Sequence, residues 1–385
     1  MRYSFRLAEL LGHVPDPRKR PGTIKAIVEY TGLDRHQVAA LLKNEVKYIP
    51  MKALSRLCDY LIEYGYVSAD QLPGALFAVE PEHFWELLAR RRRLEMCVGV
   101  RTHESAGQHE GAWVMASDSV LLGELLNGVS TLGGTAKHQM SMHAAGSLMP
   151  QPEHLKQSLV WSPGQVVDEH IVTRARAVYE QFTGPGSDKA LICLGSIKSN
   201  PVAELIVASA FGCTPFQSQD DIADPTQRGC PFFLRYRGTD PHPASCCAGL
   251  QLGSRQSSES PGYYFETAHG KWRYCGWDQP EHDTALVFYI HRESQGRLEM
   301  VLGGFSGRAT RLLAKTLALR AEGFWPPVYS KHGIQVGAFI VQYIFASDAA
   351  DQRDLLRTDL IAETKIIPLD SQVLARRLDI GRLDS

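Results

Sequence analysis

The chain lacks most of the short patterns that announce a chemistry. It has eight cysteines, Cys58, Cys97, Cys193, Cys213, Cys230, Cys246, Cys247 and Cys275, and no two of them stand in a C-x-x-C. Cys246 and Cys247 are adjacent, a spacing that strains a mutual bridge. Reduced thiols and no metal site are therefore expected. His282 and His291 belong to no H-E-x-x-H pattern. No glycine-rich stretch ends in the Gly-Lys-Ser/Thr of a Walker loop, none is a clean G-x-G-x-x-G, and Gly304-Phe305-Ser306-Gly307 is not a G-x-S-x-G elbow. The opening residues have no continuous apolar core, which argues against a signal peptide. The longest apolar stretch, Ile334 to Phe345, is broken by Gln335 and Gln342 and is too short to cross a bilayer. A cytoplasmic chain with no membrane partner is the expectation.

Net charge is also nearly absent, at −1 over 385 residues. Its distribution is uneven. From Arg2 to Arg56 there are 11 Lys/Arg against 5 Asp/Glu, a basic head on a chain that compensates elsewhere. That head reads as short helices. Phe5–Leu11 makes a turn or two and ends at Gly12. Thr23 is placed to cap a helix over 24–30, and Asp34 one over 35–44. Met51–Tyr64 carries an apolar stripe at Leu54, Leu57, Tyr60, Leu61 and Tyr64. Between the second and third helices Gly32 supplies the positive φ that a tight turn needs. Leu33 then plugs the angle, while Val38, Leu41 and Leu42 hold the third helix by 3- and 4-residue spacing. Arg35, His36, Gln37, Lys43 and Asn44 are left on other faces. Arg35 suits guanine and Gln37 adenine. Arg18, Lys19 and Arg20, in the preceding loop, are candidates for phosphate contact or for plain solvation.

The Thr31-Gly32-Leu33-Asp34-Arg35 turn, Leu41-Leu42-Lys43-Asn44 and the stretch Ala53–Leu61 together resemble the phage-repressor (Xre/Cro) family of helix-turn-helix domains over roughly residues 5–75. The resemblance implies a recognition helix opening at Asp34 and double-stranded DNA as partner. The alternative is a helical hairpin that only packs on the rest of the chain.

Further along, Pro81–Arg93 reads as a helix whose end, Arg90–Arg93, suits the negative dipole. Strand-like segments then alternate with helical ones. Leu191–Leu194, Phe232–Tyr236, Leu286–His291, Leu298–Leu302 and Val336–Phe345 are short and rich in β-branched or aromatic residues. Two of them feed helices directly, at Val202–Phe211 and Ala309–Leu319, which argues for a Rossmann-like α/β core. Residues 214–285 read as a loop-rich insertion. The first connecting loop offers Gly195, Ser196, Ser199 and Asn200, with Pro201 opening the helix. The second offers Gly303, Gly304, Ser306, Gly307, Arg308 and Thr310. Either could cradle an anion at a helix N-terminus, or simply be a tight architectural turn. The second loop is somewhat similar to the glycine-rich loop of nucleotide-sugar-binding Rossmannoid families such as SLOG. Glu204, one turn after Asn200, is the best acid/base candidate. Asp118, Asp220, Asp221, Asp224, Glu266, His269, Asp278 and Asp283 have no spacing that ties them into a dyad.

The fold class expected is therefore α/β multidomain. An all-α helix-turn-helix bundle over 1–78 is followed by a helical linker over 79–110, a Rossmann-like α/β domain with a loop-rich insertion over 111–350, and a C-terminal arm over 351–385 that could pack on a partner subunit. The function expected is a homodimeric DNA-binding transcription regulator whose α/β domain senses a small, possibly nucleotide-like ligand, with no cofactor. The alternative is an enzyme on a nucleotide-like substrate, hydrolysing or transferring a glycosidic bond, with an accessory DNA-binding domain.

Overall fold

The structure, a computed structural model, describes residues 3–11, 21–43, 45–67, 69, 72–73, 76–79, 81–105, 108–131, 154–163, 169–184, 188–218, 220, 222, 224–253, 260–278, 281–292, 296–329, 334–346 and 361–383. The chain divides into two compact units. One is Met1–Glu82 with His291–Arg297 and Tyr329–Gln335; the other is the remainder.

The first unit begins with β1 (Tyr3–Phe5) and α1 (Leu7–Leu10), and continues with α2 (Pro21–Thr31), α3 (Arg35–Leu42), α4 (Met51–Glu63) and β2 (Phe77–Val79). Phe5 thus belongs to a strand rather than to a helix. β1 and β2 pair antiparallel with Phe5 opposite Phe77. Thr23 lies inside the first turn of α2, because the helix already opens at Pro21, whose missing N–H costs nothing at that position. Ile27, Leu33, Val38, Leu41, Leu57 and Leu61 form the shared core. Val38 and Leu41 turn one face of α3 inward, as their three-residue spacing requires.

The second unit opens with α5 (Phe84–Ala89), β3 (Arg93–Ser105), β4 (Gln108–Val114), α6 (Ala116–Thr131), β5 (His154–Trp161), α7 (Glu169–Thr183), β6 (Lys189–Leu194) and α8 (Pro201–Phe211). The insertion contributes β7 (Phe232–Arg235), β8 (Ala248–Gly249), β9 (Gly262–Glu266) and β10 (Trp272–Gly276). The chain then runs through β11 (His282–Arg292), β12 (Arg297–Gly304), α9 (Gly307–Arg320), β13 (Val328–Tyr329), β14 (Ile334–Phe345), β15 (Ile361–Pro368) and α10 (Ser371–Leu383).

Among the described residues, nine strands form the main sheet in the order β13-β14-β11-β12-β6-β3-β4, with β15 on β14 and β5 on β3. β3 pairs parallel with β5 and β6 but antiparallel with β4, and β14 pairs antiparallel with β15. The sheet is mixed, so the Rossmann-like expectation holds only at the level of an α/β body. Its strands obey the period of two. Leu94, Met96 and Val98 of β3 and Ala190, Ile192 and Leu194 of β6 face one core with residues of α5, α6 and α9. On the opposite face, Glu299 of β12 takes a hydrogen bond from Tyr179 of α7. The insertion forms a second sheet, β10-β9-β7-β8.

Four expectations are corrected here. The helix expected over Pro81–Arg93 stops at Ala89, and the segment expected as a helical linker contains β3, a central strand. The arginine run is not a solvated helix end. Arg90 pairs with Glu86, Arg91 is buried with its Nε on the Leu87 carbonyl and its guanidinium beside Asp188, and Arg93 begins the strand. The C-terminal segment is not a free arm either. β15 adds to the sheet, and Arg376 and Arg377 of α10 both pair with Glu266 of β9 in the same unit.

Candidate functional site

α3 is built to stand as a rigid rod. Asp34 accepts a hydrogen bond from the Gln37 backbone N–H at 2.8 Å, and the Gln37 side-chain oxygen accepts one from the Asp34 N–H at 3.1 Å, a reciprocal capping box. Gly32 sits at φ +75°, the left-handed region that glycine reaches at no cost. The Thr31 hydroxyl returns to the Ile27 carbonyl, and buried Leu33 fills the corner. Arg35, His36 and Lys43 are exposed along α3, with Ala39 and Ala40 half-buried between them. These small side chains let the helix backbone approach a surface closely. Gln37 is half-buried and its oxygen is committed to the cap, so a bidentate contact to adenine would require opening that box. Arg18, Lys19, Arg20 and Asn44 lie outside the described residues.

Sequence reasoning missed the segment that follows α3. Lys47, Tyr48, Met51 and Lys52 are all exposed, Tyr48 by 76% and Met51 by 77%. Two lysines beside an exposed aromatic ring are suited to a phosphate backbone. Their signal was a basic-aromatic cluster just past α3.

In the second unit the two glycine loops meet. A Cβ on Gly303 would overlap the Gly195 carbonyl group, one on Gly304 would overlap Ala309 and the Thr310 N–H, and one on Gly195 would press on Ser199 Oγ. Four of their polar side chains, those of Ser199, Asn200, Ser306 and Thr310, are bonded locally. Asn200 caps α8 and donates to the Cys97 and Leu194 carbonyls, and the Ser199 hydroxyl donates to the Ser196 carbonyl. Ser306 caps α9 and donates to Asp283, while Thr310 Oγ1 receives the Gly304 N–H. Gly307 is exposed and Arg308 lies over the Phe345 ring. The two loops are thus brought together at one junction, with Gly303 packed on Gly195.

Beneath that junction lies a charged group that the sequence did not single out. Buried Lys198 donates to Asp240 at 3.0 Å and to the Phe305 carbonyl at 2.8 Å, with its ammonium 4.0 Å from the Phe305 ring centre. Burial lowers the lysine to about 8, against the pull of Asp240. Burial also pushes Asp240 up, but hydrogen bonds from Arg237 and the Lys198 charge outweigh it and hold the carboxyl below its ordinary range. Asp283 is raised to about 6, again by burial first, with the Ser306 hydrogen bond opposing.

Glu204 is fully enclosed. It accepts from the Phe216 N–H at 3.0 Å, the Cys246 N–H at 2.7 Å and the Ser245 hydroxyl at 2.5 Å, and burial raises it to about 8. It borders a small cleft with Pro163, Pro201, Phe216 and Pro243. Around it the fold gathers thiols from three separate segments, Cys213, Cys230 and Cys246–Cys247, which sequence spacing did not connect.

Residues 18–62 match the family model for the Cro/C1-type helix-turn-helix DNA-binding domain, which spans α2, α3 and most of α4 and leaves the α/β body outside. No curated protein and no solved structure matches the chain. Among the described residues, no helix is long and apolar enough to cross a membrane.

Proposed function

We propose that this protein is a sequence-specific regulator that binds duplex DNA through α3. The observation that carries the reading is the exposed line of Arg35, His36 and Lys43 on a helix locked by a capping box behind the Gly32 turn, inside a segment of Cro/C1 type. Arg35, in the first turn, is placed to reach a base edge, and Lys43, Lys47 and Lys52 to reach phosphates. Two copies, with α3 helices about 34 Å apart, would read paired half-sites. A site selected from random duplex DNA provides the probe. Arg35→Ala is expected to weaken binding to it by about 1–3 kcal/mol and to relax its sequence preference. Lys47→Ala is expected to weaken all sequences alike and to flatten the salt dependence. Unchanged affinity and preference in Arg35→Ala would remove α3 as the reading helix.

In this reading the α/β body modulates the DNA-binding head in response to a small ligand, and of the glycine-loop side chains Asn200 and Ser306 are already engaged as helix caps. A catalytic role for Glu204 has less behind it. Three donors, the Phe216 and Cys246 N–H groups and the Ser245 hydroxyl, already hold that carboxyl.

A further inference from the structure

Four of the cysteines converge although the sequence scatters them over 35 residues, from 213 to 247. Cys213 follows the left-handed Gly212 that ends α8, Cys230 precedes β7, and the Cys246–Cys247 pair sits in the turn entering β8. Cys213 Sγ is 3.7 Å from Cys230 Sγ, which is 4.0 Å from Cys246 Sγ. Those three sulfurs lie within 4.8 Å of one another, as do the Cys246 and Cys247 sulfurs and a Glu204 carboxylate oxygen. Cys246 belongs to both groups and links Cys247 to the other two thiols.

These separations have a chemical meaning. They are far longer than a disulfide, about 2.05 Å. Four sulfurs each about 2.3 Å from a tetrahedral zinc ion stand about 3.8 Å apart, close to the 3.7 and 4.0 Å that separate Cys230 from Cys213 and Cys246. Edges of that length enclose one ion and leave no room for a cluster of several irons. Soft thiolate donors select zinc over magnesium or calcium.

The surroundings are built to hold the sulfurs in place. Gly229 has no side chain where a Cβ would overlap Cys213 Sγ. Glu204 fixes the backbone N–H of Cys246, and the Cys247 carbonyl is anchored by the Leu234 N–H. Four thiolates on a divalent ion leave a net negative site, and the Arg377 guanidinium, paired with Glu266 and held by the Thr226 and Arg228 carbonyls, acts on Cys213 and offsets part of that charge.

We propose that Cys213, Cys230, Cys246 and Cys247 bind one zinc ion as thiolates, stapling the insertion to the end of α8. Binding releases the four thiol protons to solvent and changes no oxidation state. With four protein ligands the site has no open position, so its role is structural. Glu204 and Arg377 are positioning residues for it. The site is independent of the DNA-binding reading and would survive its failure.

The test uses the full chain, purified without chelator and under reducing conditions. Elemental analysis is expected to find one zinc per chain, retained in Cys58→Ser and lost in Cys230→Ser and Cys246→Ser. Replacement by cobalt is expected to give thiolate-to-metal absorption and the intense visible bands of a tetrahedral four-sulfur site. Cys247→Ser should reduce the thiolate absorption by about one quarter. Should the serine variants fold poorly, the wild-type stoichiometry and cobalt spectrum decide the matter alone. A metal-free wild-type chain, whether its four thiols are alkylated in the native state or found as disulfides, overturns the site. Iron in place of zinc overturns the assigned metal, and an unchanged cobalt spectrum in Cys247→Ser overturns the fourth ligand.

Discussion

Gly303 and Gly195 lie backbone against backbone, and this contact sets how closely the two strand-to-helix loops approach. A methyl group on Gly303 has nowhere to go, because what it meets is peptide carbonyl rather than the flexible end of a side chain. Gly303→Ala is expected to destabilise the α/β body by roughly 3 kcal/mol, an overpacking cost read as a drop in melting temperature. Gly123, exposed on α6 with nothing near its missing Cβ, makes the opposite case. There the alanine is expected to stabilise by about 0.5–1 kcal/mol, since glycine loses more backbone entropy in a helix. Equal melting temperatures for the two variants would refute the packing argument. In the sequence the loop glycines read equally as a ligand cradle or as a tight turn, and the close approach of Gly303 to Gly195 accounts for the turn. Their neighbours Asn200, Ser199 and Ser306 have the chemistry of ligand donors, and only the fold shows that each is already occupied.

α3 shows how much of an element a short run of residues can specify. Asp34, Gln37, Gly32 and Leu33 are all within six positions, so the cap, the turn and the plug form from local contacts alone. Asp34→Ala removes one half of the capping box and is expected to cost about 1 kcal/mol of helix stability. Hydrogen exchange checks this directly: the first amides of α3 should exchange about fivefold faster, a factor that follows from the same energy. Unaltered protection would mean that tertiary packing, not the cap, holds the helix start. β3 is the contrasting case. Leu94, Met96, Val98 and Val100 alternate as a strand should, yet the preceding arginines read as the end of a helix. Burial of Arg91 against Asp188 is a contact across nearly a hundred residues, and no local pattern announces it. β15 was hidden for a related reason. Its exposed, charged positions are those of an edge strand, whose pairing with β14 only the assembled sheet supplies.

For the whole molecule, the buried ionisable groups at the loop junction set how stability follows pH. Asp283 titrates near 6 in the folded chain against an ordinary value of 3.8. The folded state therefore holds a proton that the unfolded chain has already released, and the associated stability is present below pH 4 and lost as pH rises through 6. At about 1.4 kcal/mol per unit, that loss approaches 3 kcal/mol. Asp283→Asn cannot titrate, so its stability relative to wild type is expected to climb by about that amount between pH 4 and 7. A constant difference in denaturant melts across that range would refute the burial argument. Lys198, lowered to about 8, works in the other direction above pH 8, where rising pH favours the folded state. The amino-acid sequence by itself determined the basic head, the Gly32 turn, the capped helix α3 and the existence of an α/β body, because each depends on residues that are neighbours along the chain. Only the tertiary structure decided the strand order, the burial of Glu204 and Lys198 and the meeting of the four thiols, because these join positions that become neighbours when the sheet and its insertion close around them.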